Sequence, residues 1–435
     1  MHNETIAAIA SASGQGGIGV VRISGPAALN IGQNISGFAL KPRYAQFCDF
    51  KNAAGDTIDQ GIALFFNAPH SFTGEDVVEL QGHGNSFVLD DILQSAIALG
   101  ARLAKPGEFS ERAFLNNKID LAQAEAIADI IASSNHAAAR SAVASLAGEF
   151  SETINDLLAS LTRLRVYVEA TIDFPDEEID LPGDTQLQKM LEGTQAQLHS
   201  VLAKAKQGRV IRDGLSLIIV GEPNTGKSSL LNRLAGEELA IVNQQAGTTR
   251  DMLREHIMLD SLPLKLIDTA GLRDSTDEIE QEGIRRAGRE IERADIVFFL
   301  QDYSDTTIDP CPARSSIKQQ LQQYNIKLGD NTLLVVVNNK IDLRDQPPAR
   351  LDDANSSGAT LQNYAAVAIS ARYDQGIDLL STCIRQFFGL AQAAETTFTA
   401  RLRHLDSLQH CRQQLDRAQQ QIRAAGAAEL IAEDL

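Results

Sequence analysis

The segment Gly221-Glu222-Pro223-Asn224-Thr225-Gly226-Lys227-Ser228 directly follows the apolar run from Leu215 to Val220 and is the strongest indication of the fold. An apolar strand, a loop with two glycines and the start of a helix, in this order, are typical of the loop that binds phosphates in nucleoside triphosphatases. The glycines let successive backbone amides face phosphate oxygens, and we expect Lys227 to reach the β- and γ-phosphates and Ser228 to bind Mg²⁺. The sequence therefore predicts a nucleoside triphosphatase built on an α/β sheet.

A second motif, Asp268-Thr269-Ala270-Gly271, follows the strand-like residues Leu264 to Ile267. In this position the aspartate is expected to hold the ligand shell of Mg²⁺, and the amide of Gly271 is expected to face the γ-phosphate. The order and spacing of this motif after the phosphate loop are typical of a GTPase.

A third motif, Asn339-Lys340-Ile341-Asp342, follows the apolar run from Thr332 to Val337 and indicates which base is bound. A carboxylate at Asp342 can accept two hydrogen bonds from the N1–H and N2–H₂ edge of guanine, whereas adenine has no such pair of donors. Ser370-Ala371-Arg372, after the run from Ala366 to Ile369, stands where such domains contact the base through the backbone. Together the motifs predict a GTPase rather than an ATPase.

Composition bounds what the rest of the chain can do. The 435 residues suffice for about three domains, and the net charge of −18 opposes a broad phosphate-binding face, so we expect any nucleic acid to be met locally or through a partner. The four cysteines are widely spaced and are expected to be free thiols. With no basic-then-apolar leader at residues 1–10 and no apolar run of about 18 residues, the sequence predicts a cytoplasmic protein without a membrane span.

Patterning divides the chain into four segments, two of which are expected to form one domain. Residues 1–118 mix short strand-like runs with one helical stretch and are predicted to form an α+β domain. Apolar residues at steps of three or four from Val143 to Val168 predict one long helix in a helical segment, 119–210, and similar spacing returns in residues 386–435. We interpret residues 211–385 as a Ras-like α/β GTPase domain inserted into this helical bundle.

Other signals are weaker. Gly14-Gln15-Gly16-Gly17-Ile18-Gly19 matches the GxGxxG fingerprint of dinucleotide sites, but strand-like residues follow it, whereas the fingerprint must open a helix, so we interpret it as a turn between strands. His83 has no second His or Cys at metal-binding spacing, and we predict a loop histidine rather than a ligand or base. Arg22, Glu79 and Lys118 carry no pattern that separates them from surface charges.

Spacing does not identify the residue that orients the attacking water. Leu272 stands where many small GTPases place a glutamine, and its side chain can neither donate nor accept a hydrogen bond. The segment beyond it carries several carboxylates that could reach a water if the loop closed: Asp274, Asp277, Glu278, Glu280 and Glu282. No arginine stands out as a charge-neutralising finger. A bound monovalent cation, coordinated in part by Asn224 of the phosphate loop, is the physical substitute.

Five further segments, outside the GTPase motifs, match a known pattern. They are Gly17-Ile18-Gly19-Val20-Val21-Arg22-Ile23-Ser24-Gly25, Thr73-Gly74-Glu75-Asp76-Val77-Val78-Glu79-Leu80-Gln81-Gly82-His83-Gly84, Arg112-Ala113-Phe114-Leu115-Asn116, Asp173-Phe174-Pro175 and Gly247-Thr248-Thr249-Arg250-Asp251. With these segments, the chain closely resembles the MnmE (TrmE) family of tRNA-modification GTPases over essentially its whole length.

The resemblance implies an N-terminal domain that binds a tetrahydrofolate derivative, in the 5,10-methylene or 5-formyl form, and forms a homodimer. Arg22, Glu79 and Lys118 match the folate contacts of the family. The resemblance also implies a heterocomplex with an FAD-binding partner, MnmG. Through this complex the protein would meet certain tRNAs and add a carboxymethylaminomethyl group to their wobble uridine, with folate as the one-carbon donor.

The resemblance further implies the nucleotide and ion contacts. It places the catalytic glutamate at Glu280, the Mg²⁺ ligands at Ser228 and Thr249, and the K⁺ site at Asn224, Asn243, Gln245 and Thr248. The GTP contacts that it implies form five groups along the chain: Asn224, Thr225, Gly226, Lys227, Ser228 and Ser229; Asn243, Gln244, Gln245, Ala246, Gly247, Thr248 and Thr249; Asp268, Thr269, Ala270 and Gly271; Asn339, Lys340 and Asp342; Ser370, Ala371 and Arg372.

Two expectations bear on how far the resemblance reaches. Family members continue past the equivalent of Leu435 and end in Cys-Ile-Gly-Lys, so we expect a truncated chain in which folate chemistry and tRNA modification are affected and GTP hydrolysis is not. The alternatives are a regulatory GTPase in ribosome assembly, for which a basic RNA-binding appendage would be expected, and a folate-dependent aminomethyltransferase in which the GTPase is only regulatory.

Overall fold

The structure, a computed structural model, divides into two compact units, residues 1–128 and residues 129–435. It describes residues 4–133, 135–173, 185–236, 256–260, 262–267, 294–322, 326, 328–329, 332–352, 363–390, 398–424 and 428–435. Within these ranges no helix is long and apolar enough to cross a membrane. All four cysteines lie in the described ranges and form no disulfide bond, as their spacing predicts.

The first unit is built on a six-stranded sheet. Its strands are β1 (Ile6–Ile9), β2 (Gly16–Ser24), β3 (Gln46–Lys51), β4 (Thr57–Phe66), β5 (Val77–Gly84) and β6 (Arg102–Leu103). Their spatial order is β3-β4-β5-β2-β1-β6, and every neighbouring pair is antiparallel except β1 and β6. Burial alternates along the longer strands, as expected for a sheet with one face on a core and the other facing outward.

Three helices belong to this unit: α1 (Ala28–Ser36), α2 (Ser86–Ala98) and α3 (Glu108–Leu115). Helix α2 begins after Asn85, whose side-chain oxygen accepts a hydrogen bond from the amide of Phe87 at 2.9 Å and so caps the helix. The buried apolar faces of α1, α2 and the sheet form one core that includes Val21, Ile23, Ile31, Ile35, Val78, Leu80, Leu89 and Ile92. This α+β architecture is the one that the sequence predicts.

Two details of this unit concern the weak sequence signals. The pattern GxGxxG opens no helix, which confirms that it is no dinucleotide fingerprint. The interpretation as a turn holds only for Gly14 and Gln15, because Gly16 to Gly19 already belong to β2. A Cβ atom at Gly19 would lie 2.5 Å from Cδ1 of Leu89, so this glycine serves the packing of α2 on the sheet. The prediction of a loop histidine at His83 was wrong. His83 lies in β5, and the glycines on either side of it hide the strand pattern because glycine has a low strand propensity.

The second unit contains helices from both ends of its sequence. They are α5 (His136–Ala147), α6 (Glu149–Asp173), α7 (Thr185–Asp213), α11 (Leu402–Arg423) and α12 (Ala428–Asp434), together with the end of α4 (Leu121–Ala132), which spans the division at residue 129. Helix α11 packs on α7, and α12 packs on α6. Most of the apolar residues that recur with helical spacing on α7 and α11 are buried, among them Leu187, Leu198, Leu405 and Leu415, whereas Leu402 at the start of α11 is 55% exposed.

The long helix expected from Val143 to Val168 is two helices. Gly148 ends α5 in the left-handed conformation, with φ of 100°, and its amide donates to the carbonyl of Ala144. Glycine is the usual residue at this helix-ending position because it has no Cβ to clash there. After the break, Phe150, Leu157 and Leu164 of α6 are buried, whereas Val143, before the break, is 54% exposed.

A seven-stranded sheet lies between these helices in sequence. Its strands are β7 (Leu215–Gly221), β8 (His256–Leu259), β9 (Leu262–Leu266), β10 (Ile296–Asp302), β11 (Leu333–Asn339), β12 (Ala349–Arg350) and β13 (Tyr364–Ile369). The spatial order is β12-β13-β11-β10-β7-β9-β8, with the five central strands parallel and the two edge strands antiparallel to their neighbours. The helices of this part are α8 (Lys227–Gly236), the 3₁₀ turn Ile341–Arg344, α9 (Arg314–Gln322) and α10 (Ile377–Phe387).

The parallel strands of this sheet are buried on both faces. Along β7, Leu217 and Ile219 face one apolar core, whereas Ile218 and Val220 face another. Strands covered on both faces are near-continuous apolar runs, which is why each stands out in the sequence. Side chains that contact a ligand must therefore lie in the loops beyond the strand ends.

The chain enters and leaves this sheet at one place. Asp129 accepts bonds from Arg212, near the end of α7, at 2.9 Å and from Arg401, which precedes α11, at 3.3 Å. Beside them, the amide of Thr399 donates to Oγ of Ser145 at 2.8 Å. The fold class is thus the predicted one, with a GTPase-type sheet inserted into a helical bundle. The domain boundaries given above stay a prediction.

Candidate guanine-nucleotide site

The phosphate loop lies where the sequence predicts it, between the end of β7 at Gly221 and the start of α8 at Lys227. Gly226 has φ of +96° and Asn224 has φ of +63°, so the loop turns through two left-handed positions. The Nζ atom of Lys227 donates to the carbonyls of Gly221 at 2.8 Å and of Glu222 at 2.7 Å. The ammonium group therefore lies inside the loop, and burial lowers its pKa.

The start of α8 completes the phosphate-binding part. Thr225 is buried, and its hydroxyl donates to the carbonyl of Glu222 at 2.9 Å, which holds the turn closed. Ser228 and Ser229 are exposed in the first turn of α8. The unpaired amides at a helix start, together with its partial positive charge, attract anions. The loop and helix thus present amides, an ammonium and hydroxyls to one region, as a triphosphate with Mg²⁺ requires.

Asn339, at the end of β11, joins the phosphate loop to the loop after β13. Its Nδ2 donates to the carbonyl of Thr225 at 2.9 Å, and its Oδ1 accepts from the amide of Ala371 at 3.0 Å. The residue is only 3% exposed, so both bonds are shielded from water. A Cβ atom at Gly226 would collide with Nδ2 of Asn339, which explains why glycine stands there. One buried amide side chain therefore sets the distance between the phosphate part and the base part of the site.

The base part is organised around Asp342, in the 3₁₀ turn after β11. The hydroxyl of Ser370 donates to Oδ1 of Asp342 at 2.7 Å, and Ser370 itself is fully buried. A neutral donor orients the carboxylate without cancelling its charge, so the carboxylate remains a strong acceptor for the two donors of guanine. Arg372 is exposed, and its guanidinium lies 5.4 Å from the centre of the Tyr373 ring.

Lys340 adopts a left-handed conformation, with φ of +71°, between Asn339 and the 3₁₀ turn. Its Nζ lies 2.6 Å from Oδ2 of Asp302, the last residue of β10. Burial raises the pKa of Asp302, but hydrogen bonds from Lys340 and Ser304 lower it by more, so the pKa lies below its ordinary value and the group is ionised at neutral pH.

Several predicted contacts lie outside the residues that the structure describes. They are Asn243, Gln244, Gln245, Ala246, Gly247, Thr248, Thr249, Asp268, Thr269, Ala270, Gly271 and Glu280. In the described part of the chain, no group of three or more His, Cys, Asp or Glu side chains is placed to hold a metal ion. The described residues that are predicted to contact the phosphates and the base lie at or just beyond the carboxyl ends of three parallel strands. They are Asn224 to Ser229 after β7, Asn339, Lys340 and Asp342 at the end of β11, and Ser370, Ala371 and Arg372 after β13.

In the N-terminal unit, two of the three residues matched to folate contacts are in direct contact. Arg22 on β2 and Glu79 on β5 are cross-strand partners, and their side chains pair at 2.8 Å. The guanidinium of Arg22 also lies 5.3 Å from the ring centre of Phe72 and 5.5 Å from that of Phe109. The side chain of Lys118 lies next to Gly74, since a Cβ atom at Gly74 would be 3.1 Å from Cγ of Lys118.

Sequence reasoning missed three contributions to these sites. It did not find the joining role of Asn339, the pairing of Asp302 with Lys340, or the rings of Phe72 and Phe109 beside Arg22. Asp302 had a usable signal, since it ends a buried strand as Asn339 does. The two phenylalanines had none, because each lies outside the regular strands.

The phosphate loop, the Asn-Lys-x-Asp motif at the next loop and the buried bridge between them define the class of this protein. It is a P-loop GTPase with a doubly wound, mainly parallel sheet.

Comparison with known proteins defines the family. Residues 5–118 match the family model described as the N-terminus of the GTP-binding protein TrmE, and residues 121–435 match the MnmE helical domain. The tRNA modification GTPase MnmE of Marinobacter nauticus is 49% identical over 432 residues, which cover 99% of this chain and 92% of that protein. The proteins of the same description from Actinobacillus succinogenes and Saccharophagus degradans are 49% and 48% identical, over 99% and 100% of this chain and 93% and 92% of theirs. The chain belongs to the MnmE family.

Proposed function

We propose that this chain hydrolyses GTP and that it does so in the modification of tRNA. The observation that carries the proposal is the bridge made by Asn339, which holds the phosphate loop and the base loop in one arrangement. Family membership supports the tRNA role, because relatives at 48–49% identity over almost the whole chain are tRNA modification GTPases. The same relatives favour this role over ribosome assembly.

The described residues account for binding and for the choice of base. Lys227 and the amides at the start of α8 would bind the phosphates, and Ser228 would contribute a hydroxyl ligand to Mg²⁺ together with Thr249. The exposed position of Ser228 in the first turn of α8 fits this role. Mg²⁺, when bound, supplies positive charge that stabilises the phosphate oxygens. Asp342, oriented by Ser370, would accept hydrogen bonds from guanine and exclude adenine.

We further propose that Glu280 orients or deprotonates the attacking water and that K⁺ takes the place of an arginine finger. Asn224, Asn243, Gln245 and Thr248 would hold the K⁺ ion. Asn224 lies in the phosphate loop, with a left-handed backbone and an exposed side chain, which fits a ligand at that position. K⁺, when bound, supplies a charge that offsets negative charge on the phosphates.

In the N-terminal unit we propose a site for a tetrahydrofolate derivative, in the 5,10-methylene or 5-formyl form, at Arg22, Glu79 and Lys118. The ion pair of Arg22 with Glu79 and the two phenyl rings beside it combine polar and aromatic groups, which fits a flat, hydrogen-bonding heterocycle. The folate supplies a one-carbon unit when bound. The residues of this chain orient it.

The remaining proposals concern assembly. They are a homodimer formed through the N-terminal domain, a complex with an FAD-binding MnmG-like protein that brings in tRNA and its wobble uridine, and action in the cytoplasm. The domain boundaries proposed for this assembly are 1–118, 119–210, 211–385 and 386–435, the second and fourth forming one helical domain.

Two measurements test the proposed function. The first is hydrolysis of GTP and of ATP in K⁺ and in Na⁺, with and without the FAD-binding partner. We expect the protein to hydrolyse GTP in preference to ATP. We also expect the rate of hydrolysis to be higher in K⁺ than in Na⁺, because the two ions carry the same charge but differ in size. Equal rates in both salts would refute the K⁺ site, and equal use of ATP would refute the role of Asp342. The second is nucleoside analysis of tRNA from cells that lack the modification and carry this chain.

A further inference from the structure

The pair formed by Lys340 and Asp302 links two neighbouring strands at the edge where the nucleotide site lies. Asp302 stands opposite Asn339 in the parallel ladder of β10 and β11, one residue before Lys340 in register. The two charged atoms are 2.6 Å apart, and each side chain is 29% exposed. The pair is therefore partly shielded, so its attraction is less weakened by water and salt than that of a surface pair.

The direction in which Lys340 extends follows from the strand order. The phosphate loop leaves β7, and Asp342 and Ser370 follow β11 and β13, with β10 lying between β7 and β11. To reach Asp302, Lys340 extends from β11 toward β10, which is from the base part of the site toward the phosphate part. Its aliphatic stem thus runs along the same edge that a guanosine must occupy.

The side chain of Asp302 is also held by hydrogen bonds that do not involve Lys340. Its Oδ1 accepts the amide of Ser304 at 3.0 Å and the hydroxyl of Ser304 at 2.6 Å, whereas Oδ2 takes Lys340. The backbone next to it is held as well, since the amide of Tyr303 donates to the carbonyl of Asn339 at 2.9 Å. A rigid carboxylate of this kind can restrain a long, flexible side chain.

We propose that Asp302 is a positioning residue for guanine nucleotides, which acts by holding the ammonium group of Lys340 so that the lysine stem is extended along the nucleotide site before the nucleotide binds. A free lysine loses rotamer freedom when a ligand orders it, and a lysine that is already ordered loses less, so affinity rises. The inference rests on the proposed GTP binding. It concerns the nucleoside and not the reacting phosphate, so it affects binding more than turnover.

The test compares fluorescent GDP binding and steady-state GTP hydrolysis in Asp302→Asn with the unchanged protein. Asn keeps an oxygen for Ser304 but loses the charge that holds the lysine. We expect the dissociation constant for GDP and the KM for GTP to rise about 5- to 10-fold, mainly through faster release, with kcat changed less than about twofold. Binding of GDP by the unchanged protein tests the proposed function separately.

Asp305→Asn is the matched control. Asp305 forms the same kind of turn, accepting from the amide and hydroxyl of Thr307 at 2.9 and 2.7 Å, three residues further along the chain. The control is expected to bind GDP as the unchanged protein does. An equal loss in Asp302→Asn and Asp305→Asn would assign the effect to the loop and overturn the proposal.

A double variant separates positioning from general damage. In a Lys340→Met background, Asp302→Asn should change GDP affinity by less than about twofold, because the group through which it acts is gone. The same 5- to 10-fold loss in both backgrounds would overturn the proposal, as would the absence of loss in the single variant. If the Asp302→Asn variant does not fold, GDP binding by the Lys340→Met variant is the test. Unchanged GDP affinity in that variant would contradict the role of the lysine.

Discussion

The two sheets of this protein carry their candidate sites in different places. In the GTPase sheet the parallel strands are covered on both faces, and Asn339, Asp342 and Ser370 lie in or next to loops at the carboxyl ends of strands. In the N-terminal sheet, β2 and β5 are antiparallel, and Arg22 and Glu79 lie opposite each other within these two strands. Strand direction explains the difference, because parallel strands bring all their carboxyl ends to one edge, whereas antiparallel strands alternate.

This difference has a consequence for the way each site is supported. The GTP site depends on loop conformations that a single buried residue, Asn339, holds together. In the N-terminal unit, the loop at Glu75 is supported by Arg112, whose side chain is 1% exposed and pairs with Glu75 at 3.0 Å. Damage to the first site should appear in catalysis and specificity, and damage to the second should appear first in stability.

The largest expected effect is that of Arg112→Met. Its guanidinium donates to Glu75 at 3.0 Å, to Glu108 at 3.1 Å and to the carbonyl of Glu4 at 2.9 Å. Removing it takes one charged partner from Glu75, which keeps Ser24, and one from Glu108, which keeps Arg102, and we expect this loss to cost about 3–5 kcal/mol of the stability of the N-terminal unit. Hydrogen exchange across β2 and β5 measures this cost. The exposed Arg43→Met serves as control, and equal protection in both variants would contradict the supporting role of Arg112.

Acid should weaken the same network. The pKa of Glu108 is lowered from its usual 4.5 to about 2, chiefly by hydrogen bonds from Arg102, although burial acts in the opposite direction. A depressed pKa means that the ionised group stabilises the folded state fully above pH 4.5 and that this contribution is lost as the pH falls toward 2. The shift corresponds to about 3 kcal/mol. Acid unfolding of Glu108→Gln should lack this component. A variant with the same acid dependence as the unchanged protein would refute the assignment to Glu108.

Glu280→Ala tests the catalytic side of the comparison. If Glu280 orients or deprotonates water, kcat should fall by about 10²-fold or more while GTP binding is nearly unchanged. Glu282→Ala is the matched control, since Glu282 is a neighbouring carboxylate in the same segment. A normal kcat in Glu280→Ala would move the role to another of the acids in that segment.

Asp342→Asn tests base recognition. The amide can donate to the base, whereas the carboxylate only accepts, so GTP affinity should fall about 10- to 100-fold and xanthosine triphosphate should become the better substrate. Competition between the two nucleotides measures the switch. Unchanged preference for GTP would show that specificity does not reside at Asp342.

The smallest expected effect is that of Arg22→Lys in the N-terminal sheet. Lysine keeps the charge but cannot reproduce the planar group that pairs with Glu79 and lies beside Phe72 and Phe109, so folate affinity should fall about 5- to 10-fold. Titration with a 5-formyl tetrahydrofolate monitors binding, and GTP hydrolysis by the same variant is expected to be normal. Retained folate affinity would place the site elsewhere.

The sequence alone predicted the GTPase part closely because each of its motifs follows a buried parallel strand. Such strands are continuous apolar runs, and the residue type after each run indicates its chemistry, as Lys227 and Asp342 do. It also predicted the helical segments and their insertion, since buried leucines such as Leu198 and Leu415 recur with helical spacing. In the N-terminal domain, Arg22 and Glu79 were predicted as site residues only through the resemblance to a known family. The pattern of the sequence around them does not distinguish them from surface charges.

Tertiary structure decided the features that depend on a contact between distant residues. The break at Gly148 needed the left-handed backbone to be seen, because a glycine inside an apolar stripe is compatible with a continuous helix. The pairing of Arg22 with Glu79 and the bridge from Asn339 to Thr225 and Ala371 join residues separated by 32 to 114 positions. The place of His83 on a strand depends likewise on the pairing of β5 with β2 and β4. Local patterning specifies which element a residue belongs to, but only the packing of those elements determines which side chains meet.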